Sequence, residues 1–261
     1  MIKYDVLNRY SGEVQFTAEI DCDENASRSI KLGLAVRWGI KSNANLSDAN
    51  LSDADLHNAD LSYANLCNAD LSNADLCNAK LRNTNLSYAN LSNANLYYAN
   101  LCYANLRNTN LSDAKLRNAN LRNANLFYAN LSNADLCNAN LRNTNLSNAN
   151  LSNADLRNAD LRIFKHDIWA VCMYAIAEVP ALIGAIKEGR IDGSQYEGEC
   201  CCLCGTLEKG LKSAIDIRDA SSPAEQWFSM IRKGDKPDDN YASETALKWV
   251  EEFYAMVGGK S

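Results

Sequence analysis

Cys200, Cys201, Cys202 and Cys204 form the densest group of metal ligands or redox nucleophiles in the chain. Zinc sites usually take cysteines in pairs separated by two to four residues, completed by a second pair or by histidines. Three consecutive cysteines with no second cluster do not follow that spacing. On a helix, Cys200, Leu203, Cys204, Leu207 and Leu211 instead make one apolar stripe, and cysteine packs as a small hydrophobe. The stripe is read as buried core, with a metal or redox module as the alternative. Of the two histidines, His57 reads as a solvated side chain without a partner histidine. His166 stands beside Asp167, and Ser194 and Tyr196 could complete a triad, but no G-x-S-x-G context marks a nucleophile. The turn-rich loop Asp192 to Gly198 adds carboxylates without a recognisable acid–base pair. The expectation is no catalytic residue, no cofactor and no metal ligand.

The elements that must position side chains have an unusual period. Leucine stands at every fifth position from Leu46 to Leu161, twenty-four times, with alanine two residues earlier in all but three cases. A helix would spray such leucines around its axis, and a plain strand would alternate them between faces. A chain that turns a corner every five residues sends all of them to one interior. The unit A-(N/D)-L-x-x, as in Ala69-Asp70-Leu71-Ser72-Asn73, resembles the pentapeptide-repeat family over residues 44 to 162. That resemblance implies a right-handed quadrilateral β-helix with four units per coil, leucine at the centre of each face and alanine at the corner. Twenty-four units make about six coils, stacked to roughly 29 Å at a spacing of about 4.8 Å. Positions twenty apart should then share a column, and Ser52, Ser72, Ser92, Ser112, Ser132 and Ser152 do share a type, as do Asn45, Asn65, Asn85, Asn105, Asn125 and Asn145. Thr84, Thr109 and Thr144 replace alanine where a hydroxyl can bond a neighbouring carbonyl.

Flanking segments divide the chain into residues 1–41, 42–162 and 163–261. Ile2 to Leu7 and Val14 to Ile20 flank the turn Arg9-Tyr10-Ser11-Gly12 as a hairpin, and Ser29 to Ile40 has helical spacing. This segment reads as a cap, because a solenoid end exposes unpaired edges. The last segment reads as an α-helical domain: one helix from Ile163 to Ala177, a second opened by Pro180 and stopping near Gly189, a third from the capping box Ser222-Pro223-Ala224-Glu225 through Ile231, and a last from Ser243 to Val257. No stretch approaches the roughly 20 apolar residues of a membrane span, and the start lacks an apolar signal region. Cys67, Cys77, Cys102 and Cys137 follow repeat leucines and are expected to face outward unpaired, which suits a reducing cytoplasm.

Charge separates the functional readings. The chain carries a net −6, of which residues 42–162 contribute −1 and residues 163–261 contribute −5. Some pentapeptide proteins mimic DNA with an acidic rod that occupies DNA gyrase, and the resemblance makes a topoisomerase-directed mimic one alternative. Here the column Asp55, Asp75, Asn95, Lys115, Asp135, Asp155 is interrupted by lysine, and Arg82, Arg122, Arg142 and Arg162 would repel a basic saddle. Arginine and tyrosine favour binding hot spots, so Arg82, Arg122, Arg142, Tyr97, Tyr98 and Tyr103 form the candidate interaction surface. Tyr196-Glu197-Gly198-Glu199-Cys200, Gly205-Thr206 and Ser222 to Phe228 resemble a helical tail found on other bacterial and phage pentapeptide proteins. The resulting expectation is a non-enzymatic, cytoplasmic scaffold of bacterial, phage or prophage type that binds another protein, with the helical domain as a homodimer contact or a second binding surface.

Overall fold

Five-residue periodicity becomes a coil because one residue per unit takes a left-handed backbone. In the computed structural model, which describes residues 1–193 and 222–259, every fifth residue from Asn43 to Asn158 has φ between 54° and 65°. Sixteen of these positions are asparagine and three aspartate, whose short side chains tolerate that region. From Asp48 onward a hydrogen bond closes each corner, as where the Ala54 N–H donates to Leu51 O (3.2 Å) and that of Ala74 to Leu71 O (3.1 Å). Positive φ at the third of four residues matches a type II turn.

Between corners, single residues pair in parallel with the residue twenty positions on, from Asn50 with Asp70 through Asp135 with Asp155. This pairing closes each coil after four units, and the twenty-four units make six coils. The turns consume so much of each unit that no face extends into a strand. Among the described residues the only strands are those of the N-terminal hairpin. The result is a β-helix with one bridged residue per face.

Repeat leucines from Leu46 to Leu156 are at most 2% exposed, and burying each contributes about 1.5–3 kcal/mol before chain entropy. The three threonines are buried, but their bonds reach the coil beneath and not the local turn. Thr84, Thr109 and Thr144 donate from Oγ1 to the carbonyls of Leu61, Leu86 and Leu121 at 2.8–2.9 Å. Outside the leucine wall, many of the asparagines before a leucine do two things. Asn85 Oδ1 accepts from the Ser87 N–H (3.2 Å), and its Nδ2 donates to Asn65 Oδ1 (3.0 Å) one coil back. An aspartate in such a column accepts but cannot donate, so it interrupts the ladder.

The N-terminal segment supplies the partners that a preceding coil would have supplied. Strands β1 (Ile2–Leu7) and β2 (Val14–Ile20) form an antiparallel hairpin. Helix α1 (Arg28–Lys41) starts after Ser27, whose hydroxyl accepts the Ile30 N–H. The N–H groups of Asn50 and Asp55 donate to Leu7 O (2.8 Å) and Ser29 O (3.1 Å). Carbonyls that in inner coils accept backbone N–H groups here accept side chains. Arg37 donates to Asp55 O and His57 O, Arg28 to Ser52 O, and Gln15 to Asn45 O and Ser47 O.

A second compact unit begins at Leu161. It contains α2 (Arg162–Tyr174), a 3-10 turn (Ile176–Glu178), α3 (Val179–Lys187), α4 (Pro223–Phe228) and α5 (Tyr241–Met256). The single helix expected from Ile163 to Ala177 ends early, at Tyr174, and the chain bends by 102° before α3. In a continuous helix the Pro180 ring would strike the Ile176 carbonyl. Helix α4 has the expected cap, Ser222 Oγ accepting the Glu225 N–H (3.3 Å). It stops at Phe228 and not at Ile231, because the N–H groups of Met230 and Ile231 turn to the carbonyls of Trp227 and Phe228. Helix α5 begins two residues before the expected Ser243, capped by Asn240. Phe164, Ile168, Cys172, Trp227 and Phe253 fill the core, and the Trp227 indole N–H donates to Ala242 O (3.0 Å). Among the described residues no single helix is long and apolar enough to cross a membrane; α2 with Ile176–Lys187 is so only taken together across the bend.

Candidate interaction surface

Four units per coil give the solenoid four faces. The face of Leu61, Leu81, Leu101, Leu121 and Leu141 collects most of the residues singled out above. Arg82, Arg122 and Arg142 each follow its leucines and are exposed, with Arg122 one coil from Arg142 and two from Arg82, roughly 5 and 10 Å along the axis. Tyr103 stands at the corner leaving this face, two coils from the exposed Tyr63 in the same corner column, and Tyr98 stands at the corner entering it. Arg82 lies over the Tyr103 ring at 5.8 Å. Tyr97 sits on the adjoining face, turned edge-on to Tyr98 with ring centroids 4.4 Å apart. The Tyr97 hydroxyl beside it holds the Tyr98 phenol above its ordinary pKa. Arg162, next in the column by number, is the first residue of α2.

Charge on this face is one-sided. The residues before its leucines are Asp60, Lys80, Asn100, Asn120 and Asn140, and Lys80 pairs with Asp60 at 3.6 Å. Arg122 has only carboxamides beside it in that column, whereas the coil above Asn140 brings Asp160, whose N–H donates to Ala139 O (2.9 Å). The rod's near-zero net charge therefore conceals a face on which Lys80, Arg82, Arg122 and Arg142 outnumber Asp60 and Asp160, while the other eight aspartates of residues 42–162 lie off it.

Five of the left-handed corner positions are tyrosine: Tyr63, Tyr88, Tyr98, Tyr103 and Tyr128. Such a backbone costs a residue without a short polar side chain about 1–2 kcal/mol. The tyrosines do not stack between coils. The ring pairs are sequence neighbours, Tyr97 with Tyr98 and Phe127 with Tyr128. Among the described residues Tyr88 has neither a ring nor a cation partner, so Tyr88→Asn is expected to raise stability by about 1 kcal/mol, read as a higher melting temperature. An unchanged or lowered melting temperature would mean that the Tyr88 ring contributes packing that offsets its backbone.

A second aromatic cluster escaped the sequence reading. Arg107 lies over the Phe127 ring at 4.9 Å, and Tyr128 packs edge-on to that ring. Arg107 and Phe127 are twenty residues apart, so the column rule already contained this contact.

All four repeat cysteines occupy outward positions as expected, but two of them are covered. Cys102 and Cys137 are buried, while Cys67 and Cys77 are partly exposed. In their columns Cys102 lies between Arg82 and Arg122, and Cys137 between Arg117 and Arg157, and long arginine stems can cover a short thiol. Burial, with the Asp155 and Asp135 carboxylates alongside, pushes the Cys137 thiol up to about 11. Arg117 pairs with Asp135 at 3.2 Å and Arg157 with Asp155 at 2.6 Å. The Arg157 guanidinium holds the Asp155 carboxyl well below the usual carboxylate range.

In the second unit, Asp167 Oδ2 accepts the Ala224 N–H at 2.8 Å, which ties α2 to the start of α4. This gives Asp167 a structural task beside His166. Ser194, Tyr196, the loop through Gly198 and the Cys200 to Cys204 stripe lie outside the described residues.

The fold defines a parallel β-solenoid of stacked five-residue units with one bridged residue per face. The chain belongs to the pentapeptide-repeat family, whose pentapeptide repeats match it in eight copies over residues 42–73, 59–96, 94–127, 104–143 and 124–162. Membership implies the right-handed β-helix of that family. No curated protein matches the chain significantly. Among solved structures it is similar to HetL of the cyanobacterium Nostoc sp. strain PCC 7120, a pentapeptide repeat protein involved in heterocyst differentiation regulation: 37% identity, 46% of this chain and 58% of HetL, TM-score 0.31. The chain thus spans less than two thirds of HetL's length. A second Nostoc PCC 7120 pentapeptide repeat protein shares 32% identity over 45% of this chain and 86% of its own, TM-score 0.22. QnrB1, a plasmid-mediated fluoroquinolone resistance protein, shares 20% identity over 40% of this chain and 58% of its own, TM-score 0.18.

Proposed function

We propose that this protein is a non-enzymatic binding scaffold that recognises an acidic macromolecular surface through the face carrying Arg82, Arg122 and Arg142, with Tyr98 and Tyr103 at its corners. The supporting observation is an excess of positive charge: exposed guanidinium groups rise up one face beside a column that runs through Asn100, Asn120 and Asn140, framed by tyrosines held in place by the coil. Such a face needs no induced fit, because its spacing is set by backbone pairing every coil. Arginine and tyrosine on a rigid support are the side chains that carry binding energy at interfaces. A DNA mimic directed at a topoisomerase would present carboxylates there, and the arginine stripe opposes that role.

The triple variant Arg82→Ser, Arg122→Ser, Arg142→Ser tests this reading. Its stability should change little, since exposed substitutions usually stay within about 0.5 kcal/mol. Proteins and nucleic acids that co-purify with the tagged full-length chain should be lost from the triple variant, and wild-type retention should weaken as salt rises. Retention of every partner by the triple variant, with loss on deleting residues 163–261, would make the solenoid a spacer. Inhibition of gyrase supercoiling by the triple variant as well as by the wild type would favour the mimic.

A further inference from the structure

The coil pitch brings together three side chains that lie far apart in sequence. His57, Asp75 and Cys77 each offer a ligand atom, and these atoms all lie within 4.8 Å of one another. His57 and Cys77 occupy the same column one coil apart, and Asp75 sits two residues before Cys77. We propose that His57, Asp75 and Cys77 bind a zinc ion, with imidazole nitrogen, carboxylate oxygen and thiolate sulfur as protein ligands and water in the fourth position. The inference is independent of the arginine face.

The donor set suits zinc, which takes mixed nitrogen, sulfur and oxygen ligands in a tetrahedron. Bonds of about 2.0–2.3 Å place ligand atoms roughly 3.3–3.6 Å apart. The set must close by roughly 1 Å from the present spacing, and the exposed His57 and partly exposed Cys77 are the side chains with room to rotate. Binding releases the Cys77 thiol proton to solvent. The carboxylate is already oriented, because Asp75 Oδ1 accepts both the Cys77 N–H (3.0 Å) and Asn95 Nδ2 (3.0 Å). Oδ2 is thereby left for the ion.

Charge distinguishes this cluster from its counterpart higher on the same face. Asp135, Cys137 and Asp155 are equally close together, but Arg117 and Arg157 pair with the two carboxylates. At the lower cluster Asp55 lies directly beneath Asp75 as its bridge partner, acceptor above acceptor with no asparagine donor between them. Arg37 on the adjoining helix is directed at the carbonyls of Asp55 and His57, and no ion pair with Asp55 or Asp75 occurs among the described residues. A divalent cation would neutralise the stacked carboxylates and cross-link the first two coils. His57 has no second histidine beside it in sequence; its potential co-ligands come from the next coil.

The test is zinc binding by the full-length reduced apoprotein, measured by competition with a chromophoric chelator, with bound cobalt read for a thiolate-to-cobalt charge-transfer band. Cys200, Cys201, Cys202 and Cys204 offer other thiols, so wild type is compared with His57→Ala, Cys77→Ser and Cys137→Ser. The expected result is that His57→Ala and Cys77→Ser each remove one equivalent of zinc or weaken its binding beyond the roughly 10–100-fold that loss of an outer-shell partner costs. Cys137→Ser should bind as wild type does. Zinc should also raise the melting temperature of wild type and of Cys137→Ser only. No zinc uptake by the wild type, or equal occupancy in wild type, His57→Ala and Cys77→Ser, overturns the proposal.

Discussion

Leu91→Asp is expected to destabilise the solenoid by about 4 kcal/mol or more, enough to unfold its central coils. Leu91 is fully buried, and Leu71 and Leu111 above and below it in the same column are fully buried too. The substitution removes leucine burial worth about 1.5–3 kcal/mol and places a carboxylate where no hydrogen-bond donor can reach it. Each coil contacts only its neighbours, so a failed central coil separates the stack into two short pieces that cannot bury their ends. The sign of the pH dependence identifies the cause. A buried aspartate has its folded-state pKa raised above the unfolded value, so the folded state holds the proton longer. The penalty is therefore smallest below the unfolded pKa, near 4, and grows as pH rises towards the folded pKa. Chemical denaturation of the variant should show stability falling with pH across that window. A melting curve superimposable on the wild type would mean that the leucines do not share one interior.

Local signals in the sequence translated directly into structure. The hairpin strands, the Pro180 helix start and the Ser222 cap each depend on residues within a few positions of one another, and the five-residue leucine period defines the repeat without any long-range information. Contacts across coils were harder to see. The threonine hydroxyls bond a carbonyl twenty-three residues back, Arg107 covers Phe127, and His57 meets Asp75 and Cys77. All of these depend on the twenty-residue pairing, which must be applied to every side chain before its neighbours appear. Side-chain length also defeated the period: Cys102 and Cys137 occupy outward positions, yet arginines above and below them in the column accompany their burial. Likewise, the tyrosines at left-handed corners contradict local backbone preference and are imposed by the stack. The break after Tyr174 shows the same limit in the helical unit, where apolar spacing ran through a point at which the backbone leaves the helix.

Gly33 should show how strongly the N-terminal segment seals the first coil. In an exposed helix interior, replacing glycine by alanine normally stabilises by about 1 kcal/mol. On α1 the opposite is expected, because a Cβ at Gly33 would fall 1.9 Å from Asp55 O. Both atoms belong to main-chain segments fixed by other bonds, so α1 would have to lift from the coil. Lifting it would strain the bond from the Asp55 N–H to Ser29 O and the reach of Arg37 to Asp55 O and His57 O. Gly33→Ala is therefore expected to cost about 1–3 kcal/mol, the range for overpacking. Backbone groups released on the first coil would form an unprotected edge able to pair with another chain. Light scattering should then detect concentration-dependent association of Gly33→Ala, whereas Ile30→Ala, at a site 44% exposed on the same helix, should remain monodisperse. If Gly33→Ala melts at or above the wild-type temperature and stays monodisperse, helix propensity outweighs the clash, and the close seating of α1 is not what closes the end of the solenoid.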